Sequence, residues 1–241
     1  MGIFDFDSPL IQSLSKMADL MWLNILTVIC CIPVFTAGAA LTALHYMVLK
    51  IERGEEGYIT KGYFKSFKEN FKQSTLIWLI FLVVFCVLAV DFRIITTSDM
   101  EINSVIRVLL LVFGVIALST FMFVFPVQAK FANPVKATIW NSFLFSLARF
   151  PKTVLMVILY IIPYVVAYYY PAIIPVVLVF CLSLPAYLSA KLYNKFFLQM
   201  EEQILARVAA EKNENSDETE SEEEDEAIFS DKPMFPEESE E

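Results

Sequence analysis

The fold of this chain is decided by residues 20–49, LMWLNILTVICCIPVFTAGAALTALHYMVL, which contain no formally charged side chain. A helix that crosses a membrane needs roughly 20 apolar residues, so this run of thirty belongs in a bilayer. It is followed by IERGEEGYITKGYF at 51–64 and by the basic, Phe-rich KSFKENFK at 65–72. Basic residues beside a membrane segment are typical of the cytoplasmic face. Together the two stretches determine how the rest of the chain is threaded.

The composition supports a membrane protein with a separate acidic tail. Hydrophobic residues make up 57% of the chain and the mean hydropathy is +0.60. Residues 213–241 hold 14 of the 27 acidic residues and one of the 18 basic residues, which leaves a net charge of +4 on residues 1–212. We therefore expect an integral membrane helical domain over 1–212. The Ser-rich acidic tail over 213–241 cannot bury enough apolar surface to offset its ordering entropy, so we expect it to be disordered.

Three further runs without charge follow the first, at residues 73–90, 108–129 and 153–190. The last is long enough for two helices that turn near residues 168–171. The pattern predicts an all-α, polytopic transmembrane bundle with about five spans and amphipathic cytoplasmic helices. The predicted spans lie near residues 20–44, 74–90, 106–127, 153–169 and 172–189.

Proline and glycine interrupt the first run. Proline has no backbone N–H and breaks a helix, so we expect a helix that ends near Pro33. A second piece, Thr36–Lys50, should then leave the membrane at an angle.

The distribution of lysine and arginine predicts the orientation. Segments 50–72, 128–153 and 191–212 together contain 14 of these residues. Segments 1–19, 91–107 and 169–172, on the opposite side, contain three. Basic loops stay in the cytoplasm. We therefore expect a multi-pass membrane protein with its N-terminus outside and its C-terminus in the cytoplasm.

Two of the inner segments, 50–72 and 128–153, combine apolar and basic faces, and they carry the candidate docking residues. These are Lys61, Lys65, Lys68, Lys72, Phe64, Phe67, Phe71, Arg149 and Lys152. Such helices bind membrane lipid by burying the apolar side and pairing the bases with anionic headgroups. The other interpretation is a docking site for a cytoplasmic protein. No basic domain independent of the bilayer is present, so we expect no nucleic-acid partner.

The sequence gives little support for catalysis. Its one histidine is His45, near the inner end of the first run, and a hydrogen-bonded position at the membrane interface explains it. Phosphate-binding loops and zinc motifs are absent, so we predict no catalytic, cofactor-binding or metal site and no enzyme. Transport needs polar groups near the middle of the membrane. Only Asn24, Thr27 and Thr36 could line such a seam.

The chain resembles the YesL-like family of bacterial integral membrane proteins, whose molecular function is not established. The resemblance is carried by FDFDSP at 4–9, CIPVFTAGAALTALHY at 31–46 with the preceding cysteine, EEGY at 55–58 and SFKENFKQ at 66–73. It extends more loosely through ATIWNS at 137–142 and RFPKT at 149–153, covering roughly residues 1–205. Members of this family are often encoded near carbohydrate-uptake genes. The resemblance therefore implies a location in the bacterial plasma membrane and a link to sugar import, and it brings no catalytic or binding residues.

These observations lead to two hypotheses. The first is a non-enzymatic accessory or regulatory partner of carbohydrate uptake, which contacts components of a carbohydrate ABC transporter. The alternative is a small transporter or channel subunit that works as a homo-oligomer.

Overall fold

A computed structural model describes residues 9–55, 57–97, 103–131 and 133–230. The helices are α1 Pro9–Cys31, α2 Ala37–Arg53, α3 Ile59–Thr97, α4 Ser104–Lys130, α5 Val135–Ala148, α6 Phe150–Tyr169, α7 Ile174–Phe180 and α8 Ser183–Ser230. Short 3-10 turns at Val34–Thr36 and Pro171–Ile173 precede α2 and α7.

The predicted all-helical membrane fold is confirmed. Five helical segments are long and apolar enough to cross a membrane: Ile11–Cys31, Val34–Arg53, Ile59–Thr97, Ser104–Lys130 and Phe150–Tyr169. The pair α7 and α8, interrupted at residues 181–182, would make a sixth span. The described part of the chain therefore has five or six candidate spans, and the protein is a multi-pass membrane protein.

The single span predicted over 20–44 is two helices. As expected from Pro33, α1 ends at Cys31, and the Thr36 hydroxyl donates to the Pro33 carbonyl at 2.7 Å in the turn that follows. The prediction that the second piece leaves the membrane at an angle is wrong, because α2 turns back beside α1.

Two contacts at the first turn of α3 establish this reversal. Trp22 of α1 donates its indole N–H to the Thr60 hydroxyl at 2.9 Å, and Met47 of α2 lies against Gly62. Both partners are far along their helices from the turn at 32–36. Trp22 and Met47 therefore lie at the same level of the bundle, beside the first turn of α3.

Small residues allow α2 to pack inside the bundle. Ala39, Ala40 and Ala43 are fully buried, and Gly38 lies directly against the Ser74 carbonyl and the Trp78 Cβ of α3. In a membrane the surrounding lipid is as apolar as leucine, so close backbone approach and van der Waals contact hold helices together. Close contact of this kind at Gly38 holds α2 against α3.

Aromatic packing joins α3 to α4, and α5 then turns back along α4. Phe121 makes edge-on contacts with Phe81 at 5.5 Å and Phe85 at 5.3 Å between ring centroids. In α5, Thr138 pairs with Gln128 near the C-terminal end of α4. Further along α5, Phe143 lines a groove together with Phe113 of α4. The helix of segment 128–153 thus packs lengthwise on α4 rather than lying alone on a membrane surface.

The chain divides into two units, Met1–Leu192 and Tyr193–Glu241. In the second unit, the rings of Tyr193 and Phe197 contact each other in a tilted arrangement, with 4.8 Å between centroids. The acidic tail, predicted as disordered from residue 213, is helical as far as Ser230, and residues 231–241 lie outside the described part of the chain.

Candidate functional site

Seven of the predicted docking residues form one continuous surface, here called the α3 strip. It consists of Lys61, Phe64, Lys65, Phe67, Lys68, Phe71 and Lys72. The lysines follow one another at intervals of three or four residues, which places them along one side of the helix. All four are exposed.

Aromatic members of the α3 strip contact one another and the neighbouring Tyr63, beside the lysines. Tyr63, which is fully buried, stacks with Phe67 at 6.4 Å, and Phe67 contacts Phe71 at 5.6 Å between ring centroids. Such aromatic pairs contribute about 0.5–1.5 kcal/mol of stability beyond the contribution of the area they bury. Phe64 keeps 39% of its surface exposed. The strip therefore combines a row of packed aromatic side chains with exposed lysine side chains beside it.

Two open grooves lie along the α3 strip. The larger, about 680 Å³, is lined by Tyr58, Thr60, Lys61, Phe64, Lys65 and Lys68. A second groove of about 490 Å³ is lined by Phe67, Lys68, Glu69, Phe71 and Lys72. The Oε1 atom of Glu69, which lines the second groove, lies 3.9 Å from the Nζ atom of Lys65, and both side chains are exposed. Such a surface pair contributes about 0–1 kcal/mol, so the positive character of the strip is largely retained.

A buried polar network holds the C-terminal end of the α3 strip to the second inner segment. The Asn70 side-chain carbonyl accepts from the Gln128 amide at 3.2 Å, and the Gln128 carbonyl accepts from the Thr138 hydroxyl at 3.2 Å. Gln73 donates to the backbone carbonyl of Asn133. These bonds cross from α3 to α4 and α5. The two inner segments, predicted separately, are therefore one connected structure at this level.

The last two predicted docking residues are not part of the α3 strip. Lys152 is half-buried and donates its ammonium group to the Leu192 carbonyl at 2.9 Å, while Arg149 is half-buried at the junction of α5 and α6. Helices α3 and α6 have no direct helix–helix contact in the described chain. Lys152 thus has a structural partner inside the bundle, and the exposed cations among the predicted docking residues are those of α3.

Asn24 closes the break between α7 and α8. Its amide donates to the Leu178 carbonyl at 2.9 Å, and its carbonyl accepts from the backbone N–H groups of Leu182 and Ser183 at 3.0 and 3.2 Å. Backbone groups freed by a helix break must find partners inside a membrane. Asn24 is the partner of three such backbone groups, so its side chain has a structural role at this break.

The other residues singled out for chemistry are also buried. The Thr27 hydroxyl donates to Leu23 of its own helix at 2.8 Å. His45 is 5% exposed, and its Nε2 lies 3.5 Å from the Tyr160 hydroxyl. Among the described residues, no three His, Cys, Asp or Glu side chains are grouped so as to hold a metal ion.

Sequence reasoning missed Asn70, Gln73 and Gln128, the residues that connect the two inner segments. Gln128 lies within the charge-free run 108–129 and is 4% exposed. The amide of Gln128 inside an otherwise apolar run could have indicated such a connection, because a buried amide in a membrane requires a hydrogen-bond partner.

Residues 20–92 match a family model described as "Protein of unknown function, DUF624". This stretch begins in α1, includes all of α2 and ends in α3, so it contains the reversed helix pair and the whole α3 strip. Over these residues, which are less than half of the chain, the sequence is similar to the DUF624 family. No curated protein and no solved structure matches the chain.

Proposed function

We propose that this multispan membrane protein is a non-enzymatic accessory subunit that docks an acidic surface of a cytoplasmic or membrane partner on the α3 strip. The observation that carries the proposal is the row of four exposed lysines beside aromatic rings in mutual contact. Cations attract an acidic partner over distance, while rigid aromatic side chains supply contact area at low entropic cost. The buried network at Asn70 and Gln128 supports this by fixing the end of the strip.

The partner we propose is a component of a carbohydrate uptake system. This part of the proposal rests on the family resemblance and on no contact within the chain. It narrows the search to permease subunits and their associated ATPase.

A pull-down of the tagged protein from native membranes tests the proposal, with bound proteins identified by mass spectrometry after sugar-induced growth. The informative variant carries Lys65→Glu, Lys68→Glu and Lys72→Glu. The same three positions changed to Arg provide the matched control, since arginine retains the charge.

We expect the wild type and the Arg variant to retain an uptake component and the Glu variant to lose it. Recovery of no uptake component by the wild type would refute the carbohydrate link. Equal recovery by the Glu variant would refute docking through the α3 strip.

The alternative, a small oligomeric transporter or channel subunit, is favoured by the broken pair α7 and α8, since transporters often carry interrupted helices at their binding sites. Against it, Asn24 already satisfies the backbone at that break. Solute flux in proteoliposomes would support this alternative, and its absence with a panel of sugars would weaken it.

We also propose an orientation in which both ends of the membrane domain lie in the cytoplasm. The sequence alone predicts an external N-terminus, but the reversal at residues 32–36 favours six crossings with α7 and α8 as one. Lys16 then moves to the inner side, and the distribution of Lys and Arg changes from 14 against three to 15 against two. The revised count agrees better with the rule that basic loops stay inside.

Thiol labelling in whole cells tests this orientation. After replacement of the four native cysteines by alanine, single cysteines are placed at Gln12, Gly57 and Thr97. We expect an impermeant reagent to label only the Thr97→Cys variant until the membrane is permeabilised. Labelling of Gln12→Cys with protection of Gly57→Cys would restore the external N-terminus.

A further inference from the structure

We propose that a groove bounded by α3, α4 and α5 is a specific site for one anionic phospholipid, with an acyl chain in the groove and the phosphate paired with Lys136. The groove has a volume of about 500 Å³, which is in the range of ligand pockets. Its lining residues are Ile80, Phe81, Val84, Phe113, Ile116, Ala117, Thr120, Lys136, Ile139, Trp140 and Phe143.

The walls of the groove suit a hydrocarbon chain. Apart from Lys136, the polar side-chain groups on the lining residues are the Trp140 indole N–H and the Thr120 hydroxyl, which donates to the Ile116 carbonyl of its own helix at 2.8 Å. Apart from that indole N–H, the walls therefore offer almost nothing to an uncharged polar ligand. The lining residues of α3 and α4 belong to charge-free runs that should lie in the hydrocarbon layer, where an acyl chain is the available occupant.

The groove has a charged end and an apolar end. Helix α5 runs antiparallel to α4, so Lys136 and Thr120 mark one end, while Phe143 and Phe113 mark the other. The rise along α5 from Lys136 to Phe143 is roughly 10 Å. This arrangement matches an amphiphile with its anionic head beside Lys136.

Lys136 is available to a headgroup. Its side chain is exposed, and among the described residues no carboxylate pairs with it. The lysine sits in the first turn of α5, whose N-terminus has no side-chain cap. Trp140, 60% exposed on the same helix, is of the residue type enriched at the membrane–water boundary. Both features place this end of the groove at headgroup level.

The site differs from the α3 strip and does not depend on the proposed partner. Binding is measured by purifying the protein in mild detergent, removing loose lipid by gel filtration and identifying the retained phospholipids. Retention is compared after exchange into equal amounts of phosphatidylglycerol and phosphatidylcholine, which share acyl chains and differ in headgroup charge.

Two variants and one control separate the head from the tail. Lys136→Gln removes the charge, Ala117→Phe fills the groove from α4, and Lys191→Gln removes an exposed lysine elsewhere in the first unit. One lysine near an anionic surface contributes about 1 kcal/mol, so Lys136→Gln should reduce the preference for phosphatidylglycerol about fivefold. Ala117→Phe should abolish retention of both lipids, and the control should behave as the wild type.

Two results would overturn the proposal. One is wild-type protein that retains neither lipid. The other is a Lys136→Gln variant that prefers phosphatidylglycerol as strongly as the Lys191→Gln control. If Ala117→Phe does not fold, the Lys136→Gln comparison alone decides, because an exposed lysine contributes little to stability.

Discussion

Helices α2 and α6 are both apolar and of similar length, yet they occupy opposite environments. In the most apolar part of each segment, 72% of the residues of α2 with its preceding turn are buried, compared with 11% of the residues of α6. Helix α2 places Gly38, Ala39, Ala40 and Ala43 against its neighbours, whereas α6 buries Thr153 and Met156 and exposes isoleucine, valine and tyrosine. Hydropathy therefore identifies both as membrane helices, and side-chain size determines which one packs inside.

The largest effect should come from the closest approach in α2. A side chain at Gly38 would collide with the Ser74 carbonyl and, at 2.6 Å, with the Trp78 Cβ. Backbone at this distance cannot move cheaply, so Gly38→Val should destabilise the protein by about 3 kcal/mol or more. Thermal unfolding in mild detergent measures the loss.

Gly114→Ala is the matched control, because a Cβ at Gly114 meets no atom within 4 Å. We expect it to be neutral or slightly stabilising. Equal destabilisation by the two substitutions would contradict the account of α2 packing.

The next effect concerns the helix break held by Asn24. Asn24→Ala leaves the Leu178 carbonyl and two backbone N–H groups without this partner, at a cost of about 1–3 kcal/mol. Thr27→Val is the control one turn away, since the Thr27 hydroxyl donates to the Leu23 carbonyl of its own helix rather than to the break between α7 and α8. Denaturant titration of both variants should separate them, and indistinguishable midpoints would exclude a capping role for Asn24.

Within α6 the exposed and buried faces should respond differently. Met156 is fully buried and Ile162 is 48% exposed. Met156→Ala leaves a cavity, and because lipid replaces water as the reference the loss should be about 1–2 kcal/mol. Ile162→Ala should change stability by less than about 0.5 kcal/mol. A large loss of stability for Ile162→Ala in the monomer would show that this face packs against protein.

The smallest of these effects should come from the buried amide network. Gln128→Leu and Thr138→Val each remove one member of the Asn70–Gln128–Thr138 chain. A double-mutant cycle on unfolding should give a coupling of about 0.5–1 kcal/mol, in line with hydrogen bonds in membrane helices. Strictly additive losses would mean that the three side chains do not act together.

Much of the fold follows from sequence because its causes are local. Pro33 ends α1 since proline cannot continue the hydrogen-bond ladder, and the i, i+3 and i, i+4 spacing places the lysines of the α3 strip on one side. The direction of α2 could not be predicted in the same way. It depends on Gly38 meeting Ser74 and Trp78, a contact between residues far apart in sequence.

The candidate site was predictable only in part for the same reason. The exposure of Lys61 and Lys68 follows from the amphipathic pattern of one helix. The engagement of Lys152 by the Leu192 carbonyl does not, because it depends on how separate helices meet. Polar residues such as Gln128 indicate that a partner exists without identifying it.

The proposed docking role of the α3 strip is tested most directly by photo-crosslinking in living cells. A photoreactive phenylalanine analogue is placed at Phe64 on the strip or at Ile162 on the exposed face of α6. Both positions are partly exposed, at 39% and 48%, so the photoreactive side chain can reach neighbouring molecules from either position to a similar extent. The account predicts a protein adduct from position 64, lost when Lys65, Lys68 and Lys72 are changed to Glu, and lipid adducts from position 162. Protein adducts from position 162 with none from position 64 would contradict it.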